Sequence, residues 1–276
     1  MRSVSESLRE YARGVAGGLI FSLPLLYTME VWWAGFTSHP WRLAVYVAAT
    51  FALLLGYNYF AGLRRDSCFT EVAIDSVEEM GLGLLIALAV LWLLGRVTAE
   101  MPLQEVAGKT VIEAMTVAVG VSVGTAQLGS GGGGDEEDKG VGGGERVGFG
   151  GQTVIALCGA VLFAANVAPT EEIVMIAVEI TAWRLVGLAL LSLALGALVL
   201  YYSEFSGSKE YVVFDRRHDV LFGVAATYAI ALVSSAAILL FFGRFDGQAF
   251  QTCVAQTVVL GVAATLGASA GRLLLQ

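Results

Sequence analysis

The sequence predicts an all-α, polytopic membrane protein with eight transmembrane helices arranged as two parallel four-helix repeats. Three observations predict it. Of the 276 residues, 57% are hydrophobic and 14% charged, against about 25% charged in soluble domains, and apolar runs of bilayer length recur along the chain. Slid along itself without a gap, the sequence brings Gly17-Gly18-Leu19-Ile20-Phe21 onto Gly159-Ala160-Val161-Leu162-Phe163, Thr28-x-Glu30 onto Thr170-x-Glu172, and Trp41-Arg42-Leu43 onto Trp183-Arg184-Leu185. Between the copies lies a glycine-rich acidic stretch, which divides the chain into a first repeat (1–128), a linker (129–151) and a second repeat (152–276).

In chain order, Met1 to Arg13 is polar, and Ser3 stands three residues before Glu6 as in a capping box, so a short helical lead-in is expected at the membrane surface. The first span covers Ala16 to Phe36, with Pro24 removing a backbone donor and kinking it before Glu30. Thr37-Ser38-His39-Pro40 makes a tight connection to the second span, Trp41 to Ala61, whose Tyr57, Asn58 and Tyr59 suit an interface. A polar loop, Leu63 to Glu79, leads to a third span from Met80 to Val97. The fourth, Val106 to Leu128, contains Lys109 and Glu113, read as a local i,i+4 pair near its outer end. Its match of Thr116-Val117-x-x-Gly120-Val121 to Thr257-Val258-x-x-Gly261-Val262 in the last apolar run makes both spans.

The linker holds Asp135-Glu136-Glu137-Asp138 among glycines, with no strand before it and no Gly-Lys-Ser/Thr ending, so it reads as a flexible tether and not a phosphate loop. The fifth span starts near Gln152 and runs past Asn166, Pro169, Thr170, Glu171 and Glu172 toward Glu179. Trp183 to Tyr202, Asp219 to Phe242 and Gln248 to Leu273 complete the second set of four.

The positive charges orient the chain. Arg2, Arg9, Arg13, Arg64, Arg65, Lys139, Arg146, Lys209, Arg216, Arg217 and Arg272 share the N-terminal side, and outnumber Arg42, Arg96, Lys109, Arg184 and Arg244 on the other. Both termini and the linker are therefore expected in the cytoplasm. Four helices per half insert both copies the same way up, which predicts a pseudo-twofold axis along the membrane normal. The net charge of -8 comes without a basic stripe, so a nucleic-acid partner is not expected. The bilayer is the expected partner, together with a small cation or proton and a second copy of the chain in a homo-oligomer. Cys68, Cys158 and Cys253 have neither disulfide nor metal-ligand spacing.

Pro24, the Thr-Met-Glu stretch, Ala168-Pro169-Thr170-Glu171-Glu172 and the glycine-rich acidic centre together resemble an uncharacterised family of bacterial integral membrane proteins of about this length. The resemblance implies a membrane protein and brings no activity with it. The Phe21-Ser22 pair is similar to the first helix of a lysosomal and bacterial potassium-channel family, whose motif continues with Asp where Leu23 stands here.

The chemistry that can be read rests on the duplicated acids. On a straight helix Glu30 sits about 6 Å from the middle of its span, at about 1.5 Å per residue, with Glu172 at the matching depth. A carboxylate there must pair, line a wet cavity or take a proton. One reading is a proton or cation site on the pseudo-axis, with Glu30 and Glu172 facing each other and Glu171, Thr28, Thr170 and Asn166 adding oxygens. The other is structural, with Glu30 paired to Arg42 and Glu172 to Arg184. The expected function is a cation or proton transporter. The alternatives are an ion channel, or a sensor or assembly protein whose glutamates are structural. No catalytic set is visible, so an enzyme is not expected, and no cofactor is called for.

Overall fold

A computed structural model describes residues 4–61, 68–129, 149–205 and 217–274. All regular structure in them is helical: α1 (Val4–Leu26), α2 (Met29–Thr37), α3 (Pro40–Ala61), α4 (Phe69–Leu93), α5 (Leu103–Gly129), α6 (Phe149–Ala165), α7 (Glu171–Glu179), α8 (Ala182–Phe205), α9 (Arg217–Phe241) and α10 (Phe250–Leu274). Six of them, α3, α4, α5, α8, α9 and α10, contain a stretch long and apolar enough to cross a bilayer. A seventh crossing arises if α1 and α2 are taken as one broken span. The chain is thus an all-α polytopic membrane protein. The linker's acidic cluster, the Ser3–Glu6 capping box and the basic loop around Lys209 lie outside the described residues.

The kink expected at Pro24 is a complete break. α1 ends at Leu26, and α2 leaves at 85° to it. Pro24 has no N–H to give the ladder, and Thr28 adopts an extended backbone (φ -93°, ψ 113°) that no helix continues through. The second half breaks at the corresponding place: α6 stops at Ala165, Thr170 is extended (φ -77°, ψ 151°), and α7 starts at Glu171. The fifth span is therefore two helices. A further difference is at α4, which begins at Phe69 and not at Met80. Glu71, Glu78 and Glu79 are good helix formers, so this polar stretch is helix and not loop.

Each half is built around its last helix. α5 is packed by α1, α2, α3 and α4, and α10 by α6, α7, α8 and α9. Small residues bring these helices together. A β-carbon on Gly17 would run into the backbone of Gly124, and one on Gly159 into that of Gly267, so α1 lies against α5 and α6 against α10 at backbone distance. The halves meet through α6, which packs on α3, α5 and α1. Leu54, Tyr57, Val119, Cys158 and Leu162 bury one another there. A closed twofold would set α1 against α8 and α10 in return. Neither pair makes more than marginal contact, so the contacts between the halves are not reciprocal.

Candidate functional site

The sequence-predicted residues gather at the two helix breaks, where they act on backbone. The Thr28 hydroxyl donates to the Pro24 carbonyl at 2.8 Å, and the Thr170 hydroxyl to that of Val167 at 2.9 Å. Each adds a second donor to a carbonyl at the break, since Pro24 C=O also accepts from Tyr27 N–H and Val167 C=O from Thr170 N–H. Glu30 lies in the first turn of α2, and Glu171 and Glu172 in the first turn of α7. Carboxylates there are favoured by the exposed N–H groups and the helix dipole. The repeated Thr-x-Glu is thus the start signal of a short helix, written twice.

The expected partners are exchanged. Arg42 forms an ion pair with Asp246 at 2.9 Å, across the halves, instead of with Glu30. Glu171 pairs with Arg244 at 2.9 Å. Arg184 and Glu172 are both exposed, and no hydrogen bond or ion pair joins them. Glu30 is half-buried. With the chain turned by 85° before Glu30, counting its depth along a straight rod no longer applies. α2 packs on α5 and α7 on α10, so the two stretches rest on separate supports.

Asn166 has a different role from the one expected. Its Oδ1 accepts from the Leu25 backbone N–H at 2.9 Å, while its Nδ2 donates to the carbonyls of Phe21 (3.0 Å) and Leu162. In an unbroken helix Leu25 N–H would bond Phe21 C=O; here the amide of Asn166 stands between them and serves both. In the gap-free self-match, Asn166 falls on Pro24. One break is thus clipped by the residue that opens the other.

The carboxyl that lies fully inside the bundle is another, and Glu79 is half-buried like Glu30. Glu113 is fully buried on α5, the most buried of the long helices, and neither of its carboxyl oxygens has a hydrogen-bond partner among the described residues. Lys109 does not pair with it. The ammonium is held by Glu105, one turn toward the helix start, and by the Arg96 carbonyl at 3.2 Å. Thr110 and Thr116 stand three residues either side of Glu113, which puts all three along one side of α5. The Thr110 hydroxyl is buried without a partner. The Thr116 hydroxyl shares a 2.9 Å hydrogen bond with Tyr46 of α3.

A second carboxyl, Glu79 of α4, sits in a hydrogen-bonded network. Asn58 Nδ2 donates to Glu79 at 2.7 Å and lies 3.1 Å from Ser76 Oγ, and Ser122 Oγ donates to Asn58 Oδ1 at 3.0 Å. Asn58, Ser76 and Ser122 are all buried. Ser122 and Glu113 share α5, separated by nine residues or about 14 Å of axis at about 1.5 Å per residue. Nine residues are about two and a half turns of helix, so Ser122 and Glu113 face opposite sides of α5, and the network around Glu79 is separate from the Glu113 carboxyl. α10 carries no counterpart: the register that sets Thr116 on Thr257 puts Val254 opposite Glu113.

Sequence reasoning missed this site because it followed duplication. Glu113 was visible as an acid inside an apolar run. Glu105, four residues before Lys109, was the overlooked signal that the lysine has another partner.

No curated protein and no solved structure matches the chain. A family profile described as "Putative integral membrane protein (DUF2391)" matches residues 10–275. That match spans nearly all of the helices described above, including both breaks, and the chain belongs to this family of integral membrane proteins.

Proposed function

We propose that the protein moves protons, or a small monovalent cation, across the inner membrane, with Glu113 as the carrying group. The observation that carries this reading is the buried Glu113 carboxyl without a partner. An uncompensated charge in such a place costs several kcal/mol (on the order of 3–5 when a buried pair loses one member), so the group is held neutral or is occupied. Between the two occupants, one carboxyl with two neighbouring hydroxyls suits a proton better than a divalent ion, which needs about six or more oxygens.

Eight crossings in two parallel sets of four, with α1–α2 and α6–α7 as broken first members and both termini cytoplasmic, accommodate this path. The parallel packing of α5 and α10 within their halves supports an internal duplication. In this reading the duplicated breaks shape the outer surface, and the ion chemistry belongs to the first half alone. The protein acts as a transporter, without enzymatic chemistry. The alternative in which Glu30, Glu171 and Glu172 are structural is supported by their places in first turns and by the Arg244 pair, and it is compatible with transport through Glu113.

The test is flux into proteoliposomes under imposed proton, sodium, potassium or calcium gradients. Wild type should dissipate a proton or monovalent-cation gradient. Glu113→Gln should abolish this without loss of thermal stability, while Glu30→Gln and Glu172→Gln should retain it. An absence of flux under every gradient, or flux unchanged in Glu113→Gln, overturns the proposal.

A further inference from the structure

Between α3 and α9 runs an apolar cleft of about 450 Å³, floored by Leu157 and Val161 of α6. Its walls extend along α3 from Trp41 to Leu53, about 18 Å of helix at about 1.5 Å per residue. Val45, Val233 and Leu240 on the walls are exposed at the surface, so the cleft opens sideways, toward the bilayer. Toward one end its lining includes Tyr46 stacked on Phe241, with ring centroids 4.2 Å apart. At that end lies the Arg42–Asp246 pair, half-exposed, with side chains 28% and 59% accessible.

We infer that this cleft binds one acyl chain of a zwitterionic glycerophospholipid with a primary ammonium, its phosphate on Arg42 and its ammonium on Asp246. The cleft is long, narrow and almost wholly apolar, which fits a hydrocarbon chain lying along the membrane normal. The charged pair at its mouth selects the headgroup. One guanidinium nitrogen of Arg42 bonds Asp246 at 2.9 Å, which leaves donors of its five free for a phosphate. Asp246 beside it repels a purely anionic headgroup and accepts from an ammonium that has N–H groups. A trimethylated ammonium satisfies the charge and cannot donate. The pair links a helix of the first half to the loop before α10, so a lipid seated there bridges the two halves at the face where their direct contacts are few.

The site is independent of ion flux and is tested without it. Protein purified in detergent and stripped of lipid is titrated with phosphatidylethanolamine, phosphatidylcholine and phosphatidylglycerol, with bound lipid counted by native mass spectrometry and thermal stability read in parallel. Phosphatidylethanolamine should bind in preference to the other two and raise the melting temperature. Asp246→Asn should remove the preference over phosphatidylcholine, a fall of about tenfold for one charge-assisted hydrogen bond, and Arg42→Gln should weaken all three phospholipids. Ala49→Trp should exclude the chain. Should that variant fail to fold, the surface substitution Asp246→Asn still decides. Equal retention of the three lipids, tighter binding of phosphatidylglycerol, or a preference that survives Asp246→Asn overturns the inference.

Discussion

At the scale of single residues, Asn166 bears the most structural weight for its size. One amide satisfies a donor and two acceptors on backbone, two of these on the opposite half. Asn166→Ala leaves the Leu25 N–H without its partner in an apolar setting, and an unsatisfied buried group costs about 1–3 kcal/mol. The variant should lower thermal stability in detergent by about that much. Asn166→Gln, one methylene longer, should recover little of it, because the amide must fit between two fixed backbone groups. A melting curve for Asn166→Ala that overlays wild type would show that the break is held by other contacts. The sequence displayed Asn166 beside the acids but could not display its partner, which is main chain in another helix. It displayed Glu113 as well. The rule that a repeated acid signals function favours Glu30 and Glu172, and both stand in the first turn of a short helix.

At the scale of elements, most long helices were legible from apolar runs, and the boundaries that failed have identifiable causes. Pro24 was seen, yet a proline alone leaves open whether a helix bends or ends. Here Thr28 in an extended conformation two residues after Leu26 decides for an end. Two glycines of the fourth and last spans make close contact: Gly124 lies against Gly17 and Gly267 against Gly159. Which glycines matter was not legible, because contact and absence of contact look alike in sequence. Gly187 of α8 has nothing near a built β-carbon, whereas Gly159 would clash with the α10 backbone. Gly187→Ala should therefore stabilise by about 0.5–1 kcal/mol through lower chain entropy. Gly159→Ala should destabilise by about 1–3 kcal/mol through overpacking. The opposite signs, read as melting temperatures of the two variants, check that α6 and α10 touch at backbone distance while α8 does not.

At the scale of the molecule, each half is wrapped around its last helix, α5 in the first and α10 in the second. The manner of their association was not written in the repeat, since the same sequence pattern serves a reciprocal or a one-sided interface. α6 supplies most of the joint, through Cys158 and Leu162 against Leu54, Tyr57 and Val119, and the Asn166 clip and the Arg42–Asp246 pair close it on either side. None of these contacts uses the stretch from 130 to 148. A protease site placed at Gly131 to Gly134 and cut after membrane insertion should then leave the halves together, because the joint rests on buried apolar surface and backbone hydrogen bonds. Cutting removes the effective concentration that covalent continuity supplies, which linked modules in general gain at up to about millimolar order. The cut fragments should co-elute in mild detergent, and adding Asn166→Ala to the cut protein should shift them toward separate peaks, as the clip now acts on a bimolecular equilibrium. Separation of the cut wild-type fragments would mean that the interface through α6 is too weak to hold the halves, and that covalent continuity keeps Asn166 in place on α1.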